Sequence, residues 1–194
     1  MHGLNRLLSK PSNLLVLRCL YYADEPLSGR EVERRTGLSN RATMLALDQL
    51  CTMAATQVEE TPSSNWYSIN ANHYLIAKGL KHVFEAEENF WDDLRRVVRR
   101  VVHPRPIAAV ATGPLARDES LSTGTVNLIM LFSTNRHSLR AFRCMDQLGD
   151  ALWDRHAVNL EYELLDVRNM DNEENTALWK RVEREGILLF GSLP

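Results

Sequence analysis

Residues 28–50, "SGREVERRTGLSNRATMLALDQL", constrain the fold of this chain more tightly than any other stretch. Ser28 stands before a short helix-prone run, and Glu31 follows three residues later, the spacing of a capping box. The run stops at Gly37, the residue type that most readily takes the left-handed conformation after a helix. Only Leu38 intervenes before Ser39, a second cap. Ser39 opens "NRATMLALDQLCTMAA", in which Leu47, Leu50 and Cys51 fall on one stripe. Upstream, residues 12–23, "SNLLVLRCLYYA", carry apolar side chains at helical spacing, with Ser12 placed as the cap and Asp24–Pro26 as the break. Two helices joined by so tight a glycine turn form a helix-turn-helix pattern.

The next segment extends the pattern. "TQVEE" and "NWYSIN" are β-prone runs separated by "TPSS", and a hairpin directly after the third helix is a wing. Trp66 and Tyr67 read as anchors from wing to core. Residues 12–70 thus resemble the winged helix-turn-helix domain of bacterial and archaeal regulators. The resemblance implies that the third helix enters a major groove by its first turn, with Ser39, Asn40 and Arg41 near base edges. Met44 and Leu45 lie one turn on. Arg41 suits guanine, Asn40 adenine and Met44 a thymine methyl. Arg30, Arg34 and Arg35 on the second helix would meet phosphates. Ser63, Ser64 and Asn65 at the wing tip suit a minor groove or the backbone, while Thr43, Leu47 and Leu50 face the core. A winged helix can also serve protein contacts, and a third helix with one arginine and no lysine leaves that reading open.

Bulk composition limits the partners. A formal net charge of −2 over 194 residues supplies no global positive field, so double-stranded DNA must be held by a local patch. No apolar run approaches the ~20 residues of a membrane span, and the first fifteen residues lack a secretory pattern. Cys19, Cys51 and Cys144 are scattered without ligand spacing, which suits reduced thiols in the cytoplasm and no zinc. The six histidines show no paired spacing either, so no metal and no cofactor are expected.

Residues 73–102 read as one long linking helix, with a domain boundary within it that gives domains 1–88 and 89–194. Leu94, Val97, Val98, Val101 and Val102 make an apolar stripe. It must be buried against the second domain or against a second copy, and the helix is the natural seam of a homodimer. Arg95, Arg96, Arg99 and Arg100 form the opposite stripe, read as a solvated face paired with Asp92 and Asp93.

The second half alternates strand and helix, an α/β arrangement of about three strands. Strands are expected at 106–112, 125–133 and 158–167, the second of them central. A helix at 138–157 would turn Leu139, Phe142, Met145, Leu148 and Leu152 inward. A further helix at 172–186 precedes the short "ILLFG". Trp91, Trp153 and Trp179 read as core.

On the order of these elements, together with Gly113, Ala116–Arg117 and "WKRVEREGILLFG", residues 106–191 resemble the small nucleotidyltransferase domain of the polymerase-β-like superfamily. The family runs from a first strand into a Gly-Ser turn and an Ala-Arg-Gly element, then a strand opening Asp-x-Asp. The aspartates and a third acid hold two Mg²⁺. Laid on this chain, the turn is Gly113–Pro114, Arg117 survives, and Asp118 replaces the next glycine. Thr125 and Asn127 stand where the metal ligands would be. Glu161 or Glu163 would be the third acid. Neutral side chains do not hold hard divalent cations, so the resemblance implies a catalytically inactive domain serving dimerisation, a protein partner or a ligand. The chain as a whole is expected to be a dimeric DNA-binding transcriptional regulator. The rival readings are an active nucleotidyltransferase with acids drawn from Glu119, Glu161, Glu163 or Asp166, and a protein-interaction adaptor of a toxin–antitoxin or defence pair.

Overall fold

The computed structural model describes residues 3–62, 64–117, 124–169 and 175–192. The chain is a mixed α/β protein that divides into two compact units, Met1–Glu88 and Asn89–Pro194. Among the described residues no helix is long and apolar enough to cross a membrane.

The first unit opens with α1 (Gly3–Leu7) and α2 (Pro11–Tyr21), followed by β1 (Leu27–Ser28), α3 (Gly29–Thr36) and α4 (Asn40–Thr52). A hairpin of β2 (Thr56–Glu60) and β3 (Asn65–Ile69) follows, then a π-helical turn (Ile76–Leu80) and α5 (Lys81–Glu88). The hairpin pairs antiparallel, and β1 adds to it through Leu27↔Tyr67 and Ser28↔Trp66, giving the order β1-β3-β2. That third strand is too short to leave a periodic signal in the sequence. Val16, Leu17, Leu20, Val32, Leu47, Leu50, Tyr67 and Phe84 close one apolar core. Ser12 is not the cap of α2. The helix begins at Pro11, whose missing N–H and preset φ suit the first turn, and Lys10 is the cap residue. Trp66 is also not buried: 39% of it is exposed, whereas Tyr67 on the opposite face of the strand is buried.

The linking helix is not continuous. It is interrupted at Asn89, whose φ of −84° and ψ of 7° leave the helical range, and α6 (Phe90–Val101) starts afresh. The second unit adds β4 (Ala108–Thr112), β5 (Thr125–Phe132), α7 (Asn135–Phe142), α8 (Met145–His156), β6 (Asn159–Asp166), α9 (Thr176–Glu185) and β7 (Ile187–Phe190). Its sheet has four strands in the order β6-β5-β4-β7, with β6 parallel to β5 and the other pairs antiparallel. The fourth strand is "ILLF", which returns beside β4. Alternate residues of β5 feed two cores. Val126, Leu128, Met130 and Phe132 pack with α6 and α8, and Ile129 packs with Val110 under Leu178 and Val182 of α9.

Three expectations change here. The stripe Leu94, Val97, Val98 and Val102 is buried within this unit, so it is not a seam left open for a second copy. The helix expected at 138–157 is two helices. Arg143 and Cys144 donate their N–H groups three residues back, to Arg140 and Ala141, and this tightened turn separates α7 from α8. Its buried positions are Ser138, Ala141, Met145, Leu148 and Leu152, because small side chains let α7 lie close to the sheet. Leu139, Phe142 and Trp153 therefore point outward, with 65%, 59% and 56% of their surface exposed.

Candidate functional site

Two places gather the residues singled out by sequence. The first is built on α3 and α4. Ser28 Oγ accepts the N–H of Glu31 at 3.3 Å, Gly37 ends α3 with φ 66°, and Ser39 Oγ accepts the N–H of Ala42 at 3.4 Å. Thr43, Leu47 and Leu50 are buried, and this orientation leaves Ser39, Asn40, Arg41 and half of Leu45 exposed. The cap at Ser28 is one-sided. Glu31 does not reach back to the backbone but binds both Arg34 and Arg35 at 2.7 Å. Hydrogen bonds from Arg34 and then Arg35 pull the Glu31 carboxyl down to about 2.

That pairing alters the expected interface. Arg34 and Arg35 are held by a carboxylate on their own helix, and Asn40 Nδ2 donates to Glu33 Oε2 at 2.8 Å. Met44 is half-buried, its sulfur 3.2 Å from where a side chain on Gly29 would begin. It therefore packs inside the unit and does not project from α4. Arg30 and Arg41 are exposed and form no ion pair among the described residues. A groove of about 520 Å³ runs from Ser28, Gly29 and Arg30 past Met44 to Ser64, Asn65 and Trp66 of the wing. Ser63 lies outside the described residues. Sequence reading missed the sign of the other wing strand. Glu59 and Glu60 are exposed on β2, and Glu59 shares a hollow with Glu25 and Trp66.

The second place is the rim of the larger sheet on the α9 face. Gly113 ends β4 with φ 92°, a conformation that favours glycine, and the Asn127 side chain occupies the space over it, Oδ1 lying 3.1 Å from where a side chain on Gly113 would begin. Thr112 stands opposite Asn127 in the β4–β5 register, and Thr125 is opposite Asn159. The residue that ties the rim together is Glu185, which sequence reading passed over. Its side chain is 4% exposed; it accepts from Arg117 Nη1 at 2.8 Å and from the Gly113 N–H at 3.4 Å. The Arg117 hydrogen bond holds its carboxyl below the usual range against the opposing effect of burial. The only sequence signal was its place before Gly186, where the strand must begin.

Pro114 follows Gly113 in the turn, and Arg117, at the end of that turn, is brought to Gly113 through Glu185. Among the described residues the candidate acids do not converge. Glu161 is in register with Asn127, and Glu163, opposite Ile129, is paired with Arg181 at 2.7 Å. Asp166 is buried at the far end of β6, opposite Phe132, and accepts the Arg168 N–H at 2.8 Å. Glu119 and Asp118 lie outside the described residues. Among the described residues no three His, Cys, Asp or Glu side chains are grouped to hold a metal. Thr112 Oγ1 and Asn127 Oδ1 are buried with no hydrogen-bond partner among the described residues. A buried hydroxyl without a partner is a liability, so Thr112→Val is expected to raise stability by about 1 kcal/mol, read from the denaturant midpoint. A lower midpoint would show that the hydroxyl is satisfied.

No family model matches the chain, and no curated protein matches it. Among solved structures, it is similar to NolR from Sinorhizobium fredii at 21% identity, over 42% of this chain and 80% of that one, with a TM-score of 0.35. It is similar to a toxin–antitoxin complex crystallised with AMP-PNP at 15% identity, over 53% and 73%, with a TM-score of 0.37. A third likeness is to an ArsR family transcriptional regulator at 13% identity, over 46% and 88%, with a TM-score of 0.33. At these scores the likenesses assign neither a family nor an activity, and the reading of the chain rests on its own two sites.

Proposed function

We propose that this chain is a DNA-binding transcriptional regulator that acts as a dimer in the cytoplasm. Residues 1–88 would be a winged helix-turn-helix domain, and residues 89–194 a nucleotidyltransferase-like domain without the metal-binding acids. The observation that carries the reading is the start of α4. Its cap Ser39 and its exposed Arg41 stand free of the core, and exposed Arg30 lines the groove that leads past Met44 of α4 to Ser64 and Asn65. Small polar side chains there allow close approach to base edges, and Arg41 can donate twice to guanine. In this reading Arg30 meets a phosphate, and Arg34 and Arg35 contribute only when Glu31 releases them.

In the second domain, the support is chemical. Thr125 and Asn127 carry no charge, and the buried carboxylate of Glu185 at the rim is neutralised by Arg117. The domain would serve to join copies, dock a protein or bind a ligand.

Electrophoretic mobility shift on DNA upstream of the chain's own gene tests the proposal. Binding is expected to weaken steeply with salt. Arg41→Ala should reduce specific affinity by roughly 10- to 100-fold, and Arg30→Ala should reduce the salt slope by about 1 without changing sequence preference. Failure to bind at low salt would sink the DNA reading. It would favour the adaptor reading, to which the exposed Glu59 and Glu60 already lend weight. Incubation with Mg²⁺ and labelled nucleoside triphosphates is expected to give no transfer; turnover lost on changing Glu161 or Glu185 would restore the enzyme reading.

A further inference from the structure

The outward faces of α7 and α8 carry an ordered charge pattern. The buried positions Ser138, Ala141, Met145, Leu148 and Leu152 are spaced three and four residues apart across the tight turn at Arg143–Cys144. The opposite positions therefore make one continuous exposed ridge over Asn135–His156, about 30 Å long at a helical rise. Its first half is basic: Arg136, Arg140 and Arg143 are all exposed. Its second half is acidic, with Asp146, Asp150 and Asp154 all exposed. None of these six side chains has an ion-pair partner among the described residues. In the same unit Arg155 pairs with Asp93 and Arg181 with Glu163, whereas Arg100 and Arg105 form no ion pair among the described residues.

Only the outermost charges run against the helix dipoles: Arg136 lies in the first turn of α7 and Asp154 in the last turn of α8, whereas Arg140 and Arg143 at the end of α7 and Asp146 at the start of α8 accord with them. Three large apolar side chains flank the charges. Leu139, Phe142 and Trp153 are each more than half exposed, and Phe142 meets Tyr162 edge-on at 6.2 Å.

From this pattern we infer that the α7–α8 ridge is the surface that joins two copies of the chain, lying antiparallel about a two-fold axis near Gln147. A ridge that is positive at one end and negative at the other is complementary to itself only when reversed. The positions then match: Arg140 faces the partner's Asp154 and Arg143 faces the partner's Asp150. Leu139 falls beside the partner's Trp153, so the same docking covers apolar surface and pairs four of the six charges. An isologous contact of this kind closes as a dimer and does not propagate. DNA would satisfy the arginines but repel the aspartates and leave the tryptophan uncovered. The inference names the dimer surface for the function proposed above, and it is tested without DNA.

Sedimentation velocity of the full chain is expected to show a reversible monomer–dimer equilibrium that weakens as salt rises. Arg140→Glu with Arg143→Glu leaves Arg136 as the one basic side chain among the six, and Asp150→Arg with Asp154→Arg leaves Asp146 as the one acid. Each double variant is expected to raise the dimer dissociation constant at least about tenfold. Mixed in equal parts, the two are expected to form a heterodimer, a recovery that misfolded variants would not give. A wild-type chain that stays monomeric, a dimer indifferent to both reversals, or variants that do not recover on mixing would each overturn the inference. A monomer that still shifts its DNA would overturn the dimer surface alone; a dimer of this form that binds no DNA would overturn the DNA reading alone.

Discussion

Replacing Glu185 with alanine is expected to destabilise the Asn89–Pro194 unit by about 3 kcal/mol, the low end of the range for removing one partner of a buried pair. The carboxylate is 4% exposed and holds three groups: Arg117 at 2.8 Å, Arg184 at 3.2 Å and the Gly113 N–H at 3.4 Å. Arg117 is about a third exposed and can rehydrate, which keeps the loss from being larger. The Gly113 N–H would lose its acceptor at the turn where the left-handed backbone is set. Glu185→Gln keeps the shape and gives up the charge, so a loss of roughly half is expected, since hydrogen bonds to charged groups are about twice as strong as neutral ones. Urea denaturation of both variants measures this. If Glu185→Ala leaves the midpoint unchanged but abolishes a metal-dependent nucleotide transfer, the residue is a catalytic acid and the rim is an active site.

Asp93→Ala is expected to cost the same unit about 3 kcal/mol, because one carboxylate joins α6 to α8 at several points. Its side chain is 15% exposed. It accepts from Arg155 through Nε and Nη2 of one guanidinium edge, from Arg96 at 3.2 Å and from His156 Nε2 at 3.0 Å. The Arg155 hydrogen bond leads the causes that hold its carboxyl at about 2, with burial opposing. A carboxyl depressed in the folded state binds its proton more weakly there than in the unfolded chain, whose value is about 4. Its contribution is therefore present above about pH 4 and is lost as the pH falls toward 2. Urea midpoints measured across that window should fall for the wild type and fall less for Asp93→Asn. Parallel curves would show that the Arg155 pairing does not set this carboxyl.

Local signals were legible wherever they depended on neighbours in the chain. Ser28, Gly37 and Ser39 mark the ends of α3 and α4 because caps and left-handed stops act through backbone groups within one turn. The hairpin strands at 56–60 and 65–69 follow from β-branched and aromatic residues on either side of a turn-forming break. Long-range partners were not legible. Asp93 reads as the mate of arginines on its own helix, yet Arg155 and His156, more than sixty residues later, take most of it. Within 138–157 the expected inward face holds for Met145, Leu148 and Leu152 but is one residue out of phase in α7, because Leu139 and Phe142 outrank Ser138 and Ala141 in hydrophobicity while the closeness of the sheet favours the small pair.

The sequence by itself determined the capped helix pair with its wing, the places of β4, β5 and β6, and the neutrality of Thr125 and Asn127, since each is a property of side-chain type at a position. Only the tertiary structure decided which charges are free. Arg34 and Arg35 are held by Glu31, Arg117 by Glu185 and Asp93 by Arg155, while Arg30, Arg41 and the α7–α8 ridge keep theirs. The reason is that a charge acts on a partner only after its nearer counter-charges have been met, and which counter-charge is nearer is a matter of distance through space.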